Sequence, residues 1–518
     1  MVSRGDAPGK DKVMAKEIKV ASAAIDPKII EELGKESAPA YEVKKETDIK
    51  EHNIYDESLR KRKEVKKKVI GADGKPVMQA DGKTPTLTST YVDPARLPLA
   101  LQEIIVTRRV AFMNLGKARL YAEPAKGAQE KAFNLLQRLR ENNKVGYKES
   151  EIAKLLNKEL QVAKLWYSKD TLDASHWGGY SNVNKDFKMQ ILAPSKGDTL
   201  LPVFDATGDL TYFGRQYDRR KSLEELASET SGGDKTVKCF DIYSAEKLLK
   251  FEQGGSGGGG EGGWTLVATV DLPYKKLPII YYSKDTPIWA NVQPLIERLE
   301  TVISNFADTN DYHASPTLVF LGSPGAEAQE KGENGKAVLL TGEHSDAKYV
   351  TWDQSVNAVE LEIDTLVNFI YSLTQTPNIS FEEMKALGDL SGVAFDRVFI
   401  DAHLAASNEI DGGYGELLQR SVNLEKALLA SMDTGLTAAL QELAVTVEVP
   451  RFKLDDLDAD VDLAIKANSG GLISIETAMG ISGLVTNVQD EMAKIKAEGS
   501  AGAAAGEEDT VVKLKGAG

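Results

Sequence analysis

The chain has 518 residues, 42% of them hydrophobic, and a formal net charge of −15 at pH 7. This length allows more than one domain. The single cysteine, Cys239, excludes an internal disulfide framework, and there is no apolar run of the roughly eighteen residues that a membrane-spanning helix needs. Because a leading signal-peptide pattern is also missing, we expect assembly in the cytosol without a membrane partner.

The negative charge is concentrated near the end of the chain. Residues 353–518 contain 28 acidic and 11 basic residues, a net charge of −17, and the preceding residues have a net charge of +2. Two interpretations remain open at this point. The acidity either keeps the protein soluble or forms a surface that repels the phosphates of nucleic acid.

Residues 1–94 are polar and are predicted to be a flexible arm. The arm contains a basic run at 60–68 and two turn-like segments, GADGKP and ADGKTP. The basic run could contact nucleic acid, but we favour an arm that lies over a neighbouring subunit.

A helix is predicted to begin near Pro98 and to end with Gly116 as its C-cap, and helical patterns follow at 129–143 and 149–160. Five strand-like runs follow, at 160–168, 187–194, 199–218, 235–244 and 263–272. The third contains a hairpin signal at Asp205 to Gly208. The glycine-rich stretch 254–263 formally contains G-x-G-x-x-G, but no strand-to-helix unit surrounds it, so a flexible hairpin loop is the better interpretation.

Two long amphipathic helices are predicted at 292–311 and 359–373. In the first, apolar residues recur every three or four positions from Val292 to Phe306, and Pro294 lies in the first turn. In the second, the apolar stripe ends at Leu373, shortly before Pro377. Between the helices lie three short strand-like runs, at 317–321, 337–341 and 348–352. So small a sheet needs a partner surface, which we expect to be another copy of the chain.

The order of these elements resembles the portal proteins of tailed double-stranded DNA phages. The resemblance covers roughly residues 95–497 and is most specific at Thr376-Pro377, at Ser391-Gly392-Val393-Ala394 and in the segment GGLISIET at 470–477, where Ser474 is predicted to be the N-cap of a helix. Three glycines at 412, 413 and 415 interrupt the stretch that is one continuous long helix in the family. The acidic cluster at 455–462 lacks the glycine and glutamate of an EF-hand loop.

The resemblance implies an α+β, portal-like fold with an α+β wing, two long stem helices, a small β-rich clip, a tunnel loop with a long helix, and an α-helical crown. The expected segments are 1–94 arm, 95–287 wing, 288–312 first stem helix, 313–355 clip, 356–376 second stem helix, 377–392 tunnel loop, 393–452 long helix and wing return strand, 453–497 crown and 498–518 disordered tail.

Two groups of site residues are expected on the basis of this resemblance. The clip interface would use Val319, Phe320, Leu340, Tyr349 and Trp352. The tunnel loop would approach DNA through Phe381, Glu382, Glu383, Lys385, Leu387 and Asp389, with Lys385 as the residue able to meet a phosphate. The alternative for 378–391 is an amphipathic turn packed on its neighbours.

The implied function is that of a dodecameric ring at the portal vertex of the capsid, assembled in the host cytoplasm. The implied partners are the terminase large subunit, head-completion and tail proteins, the major capsid and scaffolding proteins, and double-stranded DNA that passes without sequence specificity. We expect no catalysis, cofactor or metal, because the five histidines show no zinc-ligand spacing and Glu330 and Ala337 replace essential positions of a Walker A loop. The alternative is a helical scaffold or minor head protein without a channel.

Overall fold

The computed structural model describes residues 25–39, 61–70, 76–82, 84–170, 185–223, 225, 235–253, 263–313, 317–321, 346–350, 356–378, 398–452, 457–485, 488 and 491–497. The chain divides into two compact units. The first comprises residues 1–377 and 402–450, and the second comprises residues 378–401 and 451–518.

The described residues mix helices with antiparallel strands, which confirms the expected α+β character in its coarse form. The helices are α1 Pro27–Glu36, α2 Leu101–Met113, α3 Ala128–Asn142, α4 Val145–Glu159, α5 Gln293–His313, α6 Val356–Leu373, α7 Ile400–Glu409, α8 Gly415–Met432, α9 Thr437–Glu442, α10 Leu457–Ser469 and α11 Ile475–Ser482. The strands are β1 Lys63–Lys68, β2 Leu87–Val92, β3 Arg119–Tyr121, β4 Gln161–Asp170, β5 Lys185–Leu192, β6 Thr199–Phe204, β7 Leu210–Arg220, β8 Thr236–Tyr243, β9 Lys247–Gln253, β10 Trp264–Asp271, β11 Ile279–Ser283, β12 Thr317–Leu321, β13 Asp346–Val350 and β14 Thr446–Glu448.

Two antiparallel sheets form the centre of the first unit. One has five strands in the order β10-β9-β8-β7-β6, and the other has three in the order β11-β4-β5. Their facing sides share one apolar core, to which Leu165 and Tyr281 contribute from the smaller sheet and Phe213 and Tyr243 from the larger. Because side chains alternate along a strand, the next residues of the larger sheet point to its opposite face.

Helix α1 covers that opposite face. Ile30 packs with Leu201, Phe240 and Ile242 in a second buried cluster. Gly34 lets the helix come close, since a Cβ there would lie 2.5 Å from the Cβ of Leu201. The expectation of a flexible arm over residues 1–94 therefore missed an ordered helix. Its apolar face is too short to stand out among the polar residues around it.

The arm also contains a two-stranded hairpin. Strands β1 and β2 pair antiparallel from Lys63 opposite Val92 to Lys68 opposite Leu87. The predicted turn in ADGKTP is present, with Gly82 at a φ of 64° and the Thr84 amide donating to Asp81. This hairpin is a second ordered element that the sequence reading did not anticipate.

The five strand-like runs predicted between residues 160 and 272 are all present, as β4, β5, β6 with β7, β8 and β10, and one further strand occurs among them. Strand β9 was not predicted. It pairs with β8 on one side and with β10 on the other. Because β9 and β10 are antiparallel neighbours, the glycine-rich stretch 254–263 joins the two strands of a hairpin, as expected.

Helix α2 differs from its predicted limits. It begins at Leu101 rather than near Pro98, and it ends at Met113 with Asn114 in the left-handed region at a φ of 52°. Asparagine tolerates this conformation better than most residues, and its side-chain amide donates to the Pro450 carbonyl. Gly116 lies instead inside a 3-10 turn, Leu115–Lys117, so the prediction of a Gly116 C-cap was wrong.

The glycines at 412–415 interrupt the long helix, as the sequence suggested. Residues Ile410–Tyr414 form one π-helical turn between α7 and α8, and Gly413 has a φ of 135°. Single π-helical turns of this kind mark local departures from α-helical hydrogen bonding. The two helices are therefore connected through a kink.

The second unit contains α10 and α11, which pack against each other. The acidic residues Asp458, Asp460 and Asp462 lie within helix α10. Ser474 caps α11, because its hydroxyl oxygen accepts from the Thr477 amide at 3.2 Å, which confirms the predicted N-cap.

Candidate stem and clip site

Two long helices, α5 and α6, pack against each other and flank the predicted clip. The apolar stripe of α5 is buried at Ile296, Leu299 and Val302. On the outer side, the guanidinium of Arg298 donates to the Glu362 carboxylate at 2.9 and 2.7 Å. Helices are thus present at the positions predicted for the two stem helices, with nearly the predicted bounds, and Pro294 does lie in the first turn of α5.

An extended segment at residues 95–99 runs along α5. Its alternate amides, at Ala95, Leu97 and Leu99, donate to Asp308, Ser304 and Glu300 at 2.8, 3.0 and 2.9 Å. Two residues of extended chain advance about 6.6 Å, and four residues of helix advance about 6 Å. Because these two distances are nearly equal, every second residue of the extended segment meets every fourth residue of the helix. We call residues 95–99 the strap.

A strand pair lies in the segment predicted to be the clip, after the end of α5. Strands β12 and β13 are antiparallel, with Val319 opposite Lys348, Phe320 opposite Ala347 and Leu318 opposite Tyr349. Three of the predicted interface residues, Val319, Phe320 and Tyr349, therefore lie in a paired hairpin. Leu340, Trp352 and the predicted strand at 337–341 lie outside the described residues.

Two consecutive arginines of α2 hold the C-terminal end of α6. Arg108 donates to the Pro377 carbonyl at 2.5 Å, and its guanidinium lies 5.3 Å from the centre of the Tyr371 ring. Arg109 donates to the Thr374 carbonyl at 2.9 Å. The last carbonyls of a helix have no partner within the helix and favour positive charge. The arginines therefore satisfy and neutralise the end of α6.

Arg109 also connects this end to α7. It donates to the Ala405 carbonyl at 3.4 Å and lies 3.6 Å from a carboxylate oxygen of Glu409. Burial lowers the pKa of Arg109, and the Glu409 charge acts in the opposite direction. Glu409 is itself only 8% exposed and pairs with Lys284 at 2.5 Å. The Glu409 carboxylate therefore links Arg109 of α2 and Lys284, the residue after β11, to the end of α7, where the π-helical turn begins.

Asn157 of α4 completes this cluster. Its side-chain amide donates to Glu409 at 2.9 Å and accepts from Lys284 at 2.7 Å. Burial lowers the pKa of Lys284, partly offset by Glu409. We call Arg109, Asn157, Lys284 and Glu409 the stem-base cluster.

A second buried polar cluster lies deeper in the first unit. Lys164 donates to Glu149 and, at 3.0 Å, to Ser421. Ser421 donates to Glu425, which pairs with Arg140 at 2.9 Å. The chain of contacts ties α3, α4, β4 and α8 together, and buried charges of this kind are tolerated because each has a partner.

Two tyrosines border this second cluster. Tyr414, the last residue of the π-helical turn, donates to the Glu149 backbone carbonyl at 3.1 Å. Burial, reinforced by the Glu149 charge, raises the pKa of Tyr414 well above its usual range. Tyr282 packs 5.2 Å from the Tyr414 ring. The buried side chain of Tyr414 therefore anchors the kink between α7 and α8 in the core.

The predicted tunnel-loop residues are not among those the structure describes. Phe381, Glu382, Glu383, Lys385, Leu387 and Asp389 all lie in the undescribed stretch 379–397. The described chain fixes the stretch before it, because Gln375 adopts a left-handed φ of 51° and the Thr376 amide donates to Tyr371 at 2.9 Å. This geometry follows the end of α6 at Leu373, four residues before Pro377.

Sequence reasoning missed the strap and the stem-base cluster. The available signal was polar residues on faces that are otherwise apolar: Glu300 and Ser304 beside the stripe of α5, and Arg109 within the apolar helix α2. Such residues indicate a buried partner but do not identify it. Of the described residues, no group of three or more His, Cys, Asp or Glu is placed to hold a metal ion. Nor does any described helix combine the length and apolar character needed to cross a membrane.

Comparisons with known proteins place the chain in a family. Solved structures that resemble it include "Neck of empty GTA particle computed with C6 symmetry" and "Neck of native GTA particle computed with C12 symmetry", each with 11% identity, a TM-score of 0.35, and coverage of 76% of this chain and 91% of the other. "Virion of native gene transfer agent (GTA) particle" has 12% identity, a TM-score of 0.33 and coverage of 76% and 88%. Curated protein sequences give no significant match.

The family comparison covers most of the chain. A sequence profile described as "Phage portal protein, SPP1 Gp6-like" matches residues 81–504. The matched range includes the strap, helices α5 and α6, strands β12 and β13, and helices α7 and α8 with the kink between them. The chain belongs to the phage portal protein family of the SPP1 Gp6-like type.

Proposed function

We propose that copies of this chain form a ring at one vertex of a capsid. The ring is a dodecamer whose central channel passes double-stranded DNA during packaging and ejection. Its clip, residues 313–355, docks the terminase large subunit and later the head-completion and tail proteins, and its outer surface meets the major capsid and scaffolding proteins. The chain contributes structure and no catalysis. Membership of the portal family supports this proposal.

Exposed apolar side chains on α6 support assembly into a ring. The helix is apolar on two sides. On one side Ile363 and Leu366 are partly buried, and Ile370 is only 1% exposed. Leu361, Phe369 and Leu373 of the same helix are instead 67%, 53% and 63% exposed, and Phe369 lies about 100° around the helix from Ile370. A helix that is apolar on two sides is usually covered on both. The neighbouring copy in a ring would supply the second cover.

Within this ring, residues 377–392 form the tunnel loop and approach the DNA. The arginines that hold the end of α6 support this assignment, because they give the segment a fixed starting point at Pro377. Lys385 is the residue of the loop that can attract a phosphate, with a strength that falls with salt.

The proposal is tested by the assembly state of the purified full chain. We expect negative-stain images of rings with a central hole and a native mass that corresponds to twelve copies. Phe369→Asp should abolish or strongly weaken ring formation, because it places a charge in the exposed apolar stripe of α6. Asn357→Asp adds the same charge to the first turn of the same helix, about 120° around it from Phe369, and should leave rings intact.

Circular dichroism would show that both variants keep their helices. Filaments or monomers from the wild-type chain would contradict the ring and favour a helical scaffold or minor head protein without a channel. Rings formed equally well by Phe369→Asp would show that this face of α6 is not the contact between copies.

A further inference from the structure

A cavity of about 590 Å³ lies within the first unit, between helix α8, helix α9 and the loop that joins β10 to β11. The loop contributes residues 273–276 to its wall, α8 contributes residues between 423 and 431, and α9 contributes Thr437, Leu440 and Gln441. Small-molecule sites in proteins have volumes of about 300–1,000 Å³. The cavity is therefore large enough for a small ligand and too small to admit a DNA double helix.

Three lysines and, among the described residues, no Asp or Glu line this cavity. Lys275 and Lys276 belong to the loop, and Lys426 belongs to α8. None of the three forms an ion pair with a described carboxylate. The whole chain has a formal net charge of −15, so the wall of the cavity is a basic region in an acidic protein.

Lys426 is partly buried at the wall and is held in place. Its ammonium group donates to the Leu443 carbonyl at 2.6 Å. Burial lowers the pKa of Lys426, and the positive charge of Lys276 lowers it further. Such repulsion requires the two ammonium groups to lie near each other, because charges in water are largely screened beyond about 8 Å at physiological salt. The cavity therefore contains positive charge that no described side chain neutralises.

The chemistry of the wall indicates which anion it fits. Lysine binds phosphate as a point charge, whereas the planar guanidinium of arginine matches the two oxygens of a carboxylate. The described wall contains no arginine. It adds four side chains with amide or hydroxyl donors: Asn423, Ser431, Thr437 and Gln441. Several donors beside three positive charges suit an anion with many oxygens and more than one negative charge.

We propose that this cavity binds a small polyphosphate anion, either free or as the phosphate chain of a nucleotide. Lys276 and Lys426 would contact its charged oxygens, and the donors of α8 and α9 would bind further oxygens. Attraction of both lysines to one anion would replace their mutual repulsion, so the anion would tie the β10–β11 loop to the two helices. The site lies within one chain and does not depend on assembly into a ring.

Isothermal titration calorimetry of the full chain with sodium tripolyphosphate tests the site. We expect one anion per chain and an affinity that falls as salt is raised. Lys276→Met and Lys426→Met should each weaken binding by at least about tenfold, because each removes a charge that contacts the anion. Absence of binding to the wild-type chain would overturn the proposal.

Lys148→Met is the matched control. Lys148 lies in α4, outside the cavity, and its ammonium group also donates to a backbone carbonyl, that of Met189, at 2.5 Å. Burial lowers the pKa of Lys148 as it does that of Lys426. The control should leave the tripolyphosphate affinity unchanged, and equal losses in Lys148→Met and Lys426→Met would overturn the proposal. Lys276 is exposed on the loop, so Lys276→Met tests the cavity even where Lys426→Met does not fold.

Urea unfolding gives an independent measurement. A ligand that binds only the folded chain stabilises it, so tripolyphosphate should raise the urea midpoint of the wild type and of Lys148→Met. The midpoint of Lys276→Met should change much less. Equal increases in Lys148→Met and Lys276→Met would place the anion outside this cavity and overturn the proposal.

Competition against tripolyphosphate identifies the source of the phosphate groups. Tighter binding of adenosine triphosphate would support a nucleotide, and equal binding would support recognition of the phosphate groups alone. A single-stranded oligonucleotide or a hexa-aspartate peptide that binds more tightly than tripolyphosphate, with the same loss in Lys276→Met, would identify DNA or an acidic protein segment as the ligand. Either of these last two results would overturn the proposal.

Discussion

Arg108 and Arg109 are neighbours in α2 but hold different carbonyls, at Pro377 and Thr374. The two side chains leave a helix about 100° apart, so one reaches the chain beyond α6 while the other reaches back to the last turn. Only Arg109 also meets a carboxylate, that of Glu409. The Arg109 guanidinium therefore links the end of α6 to the end of α7, where the kink begins.

We predict that Arg109→Met lowers the free energy of unfolding by about 2–3 kcal/mol. The change leaves the Thr374 carbonyl without this donor and leaves the buried Glu409 with a weaker set of partners, although Lys284 still pairs with it. Urea unfolding of the full chain, followed by tryptophan fluorescence, measures the effect.

Arg298→Met is the matched control, since it removes an exposed arginine from an ion pair with Glu362. Pairs of this kind contribute about 0–1 kcal/mol. If Arg109→Met were no more destabilising than Arg298→Met, the stem-base cluster would have no special role in stability.

Among the elements, the junction of α7 and α8 combines a flexible residue with a fixed one. Gly413 adopts a φ of 135° that L side chains rarely adopt, and a Cβ there would meet no atom within 4 Å. Tyr414, next to it, is buried and bonded to Glu149. The kink is therefore set by backbone conformation at Gly413 and held in place by packing at Tyr414.

We predict that Gly413→Ala destabilises the chain by about 1–2 kcal/mol through backbone strain alone. Gly412→Ala is the matched control, because Gly412 also has open space for a Cβ but no positive φ. Its expected effect lies between neutral and a stabilisation of about 1 kcal/mol, the helix preference of alanine over glycine. Urea unfolding compares the two, and equal effects would show that Gly413 does not set the kink.

Across the whole molecule, charge is separated along the chain. The net charge of −17 in residues 353–518 contrasts with +2 in the rest. In the proposed ring, a negative channel surface would let DNA move without adhering. The basic residues at 61–68 belong to the β1–β2 hairpin, in which Lys63 pairs with Asp308 of α5.

We predict that wild-type rings retain linear double-stranded DNA only weakly at about 0.15 M salt, where charges within about 8 Å still interact. Asp460→Asn/Asp462→Asn, which neutralises two residues of α10, should increase retention in a filter-binding assay. Glu31→Gln/Glu32→Gln, which neutralises two residues of α1, should not. Tight, salt-insensitive binding of DNA by wild-type rings would contradict a repelling channel and leave solubility as the role of the acidic residues.

The order of the elements was predictable from the sequence, because helices and strands leave local periods of 3.6 and 2 residues. The stripes from Val292 to Phe306 and up to Leu373 predicted both stem helices. The segment from Ser474 to Thr477 predicted a capped helix. The glycines at 412–415 predicted a break in the long helix.

Local reading failed where an element is short or where a distant residue decides its limits. Helix α1 has a short apolar face, and packing on the sheet that it covers stabilises it. Helix α2 ends at Met113, and the side chain of its C-cap Asn114 donates to the Pro450 carbonyl, more than three hundred residues later.

The sequence by itself determined the family, the mixed α+β composition and the positions of the two long amphipathic helices α5 and α6. Only the tertiary structure decided that Ala95, Leu97 and Leu99 bond to a helix about two hundred residues away, and that Arg109 meets Glu409. Local patterns depend on near neighbours in the chain, whereas a buried polar group needs a specific partner whose position is fixed only when the whole chain has folded.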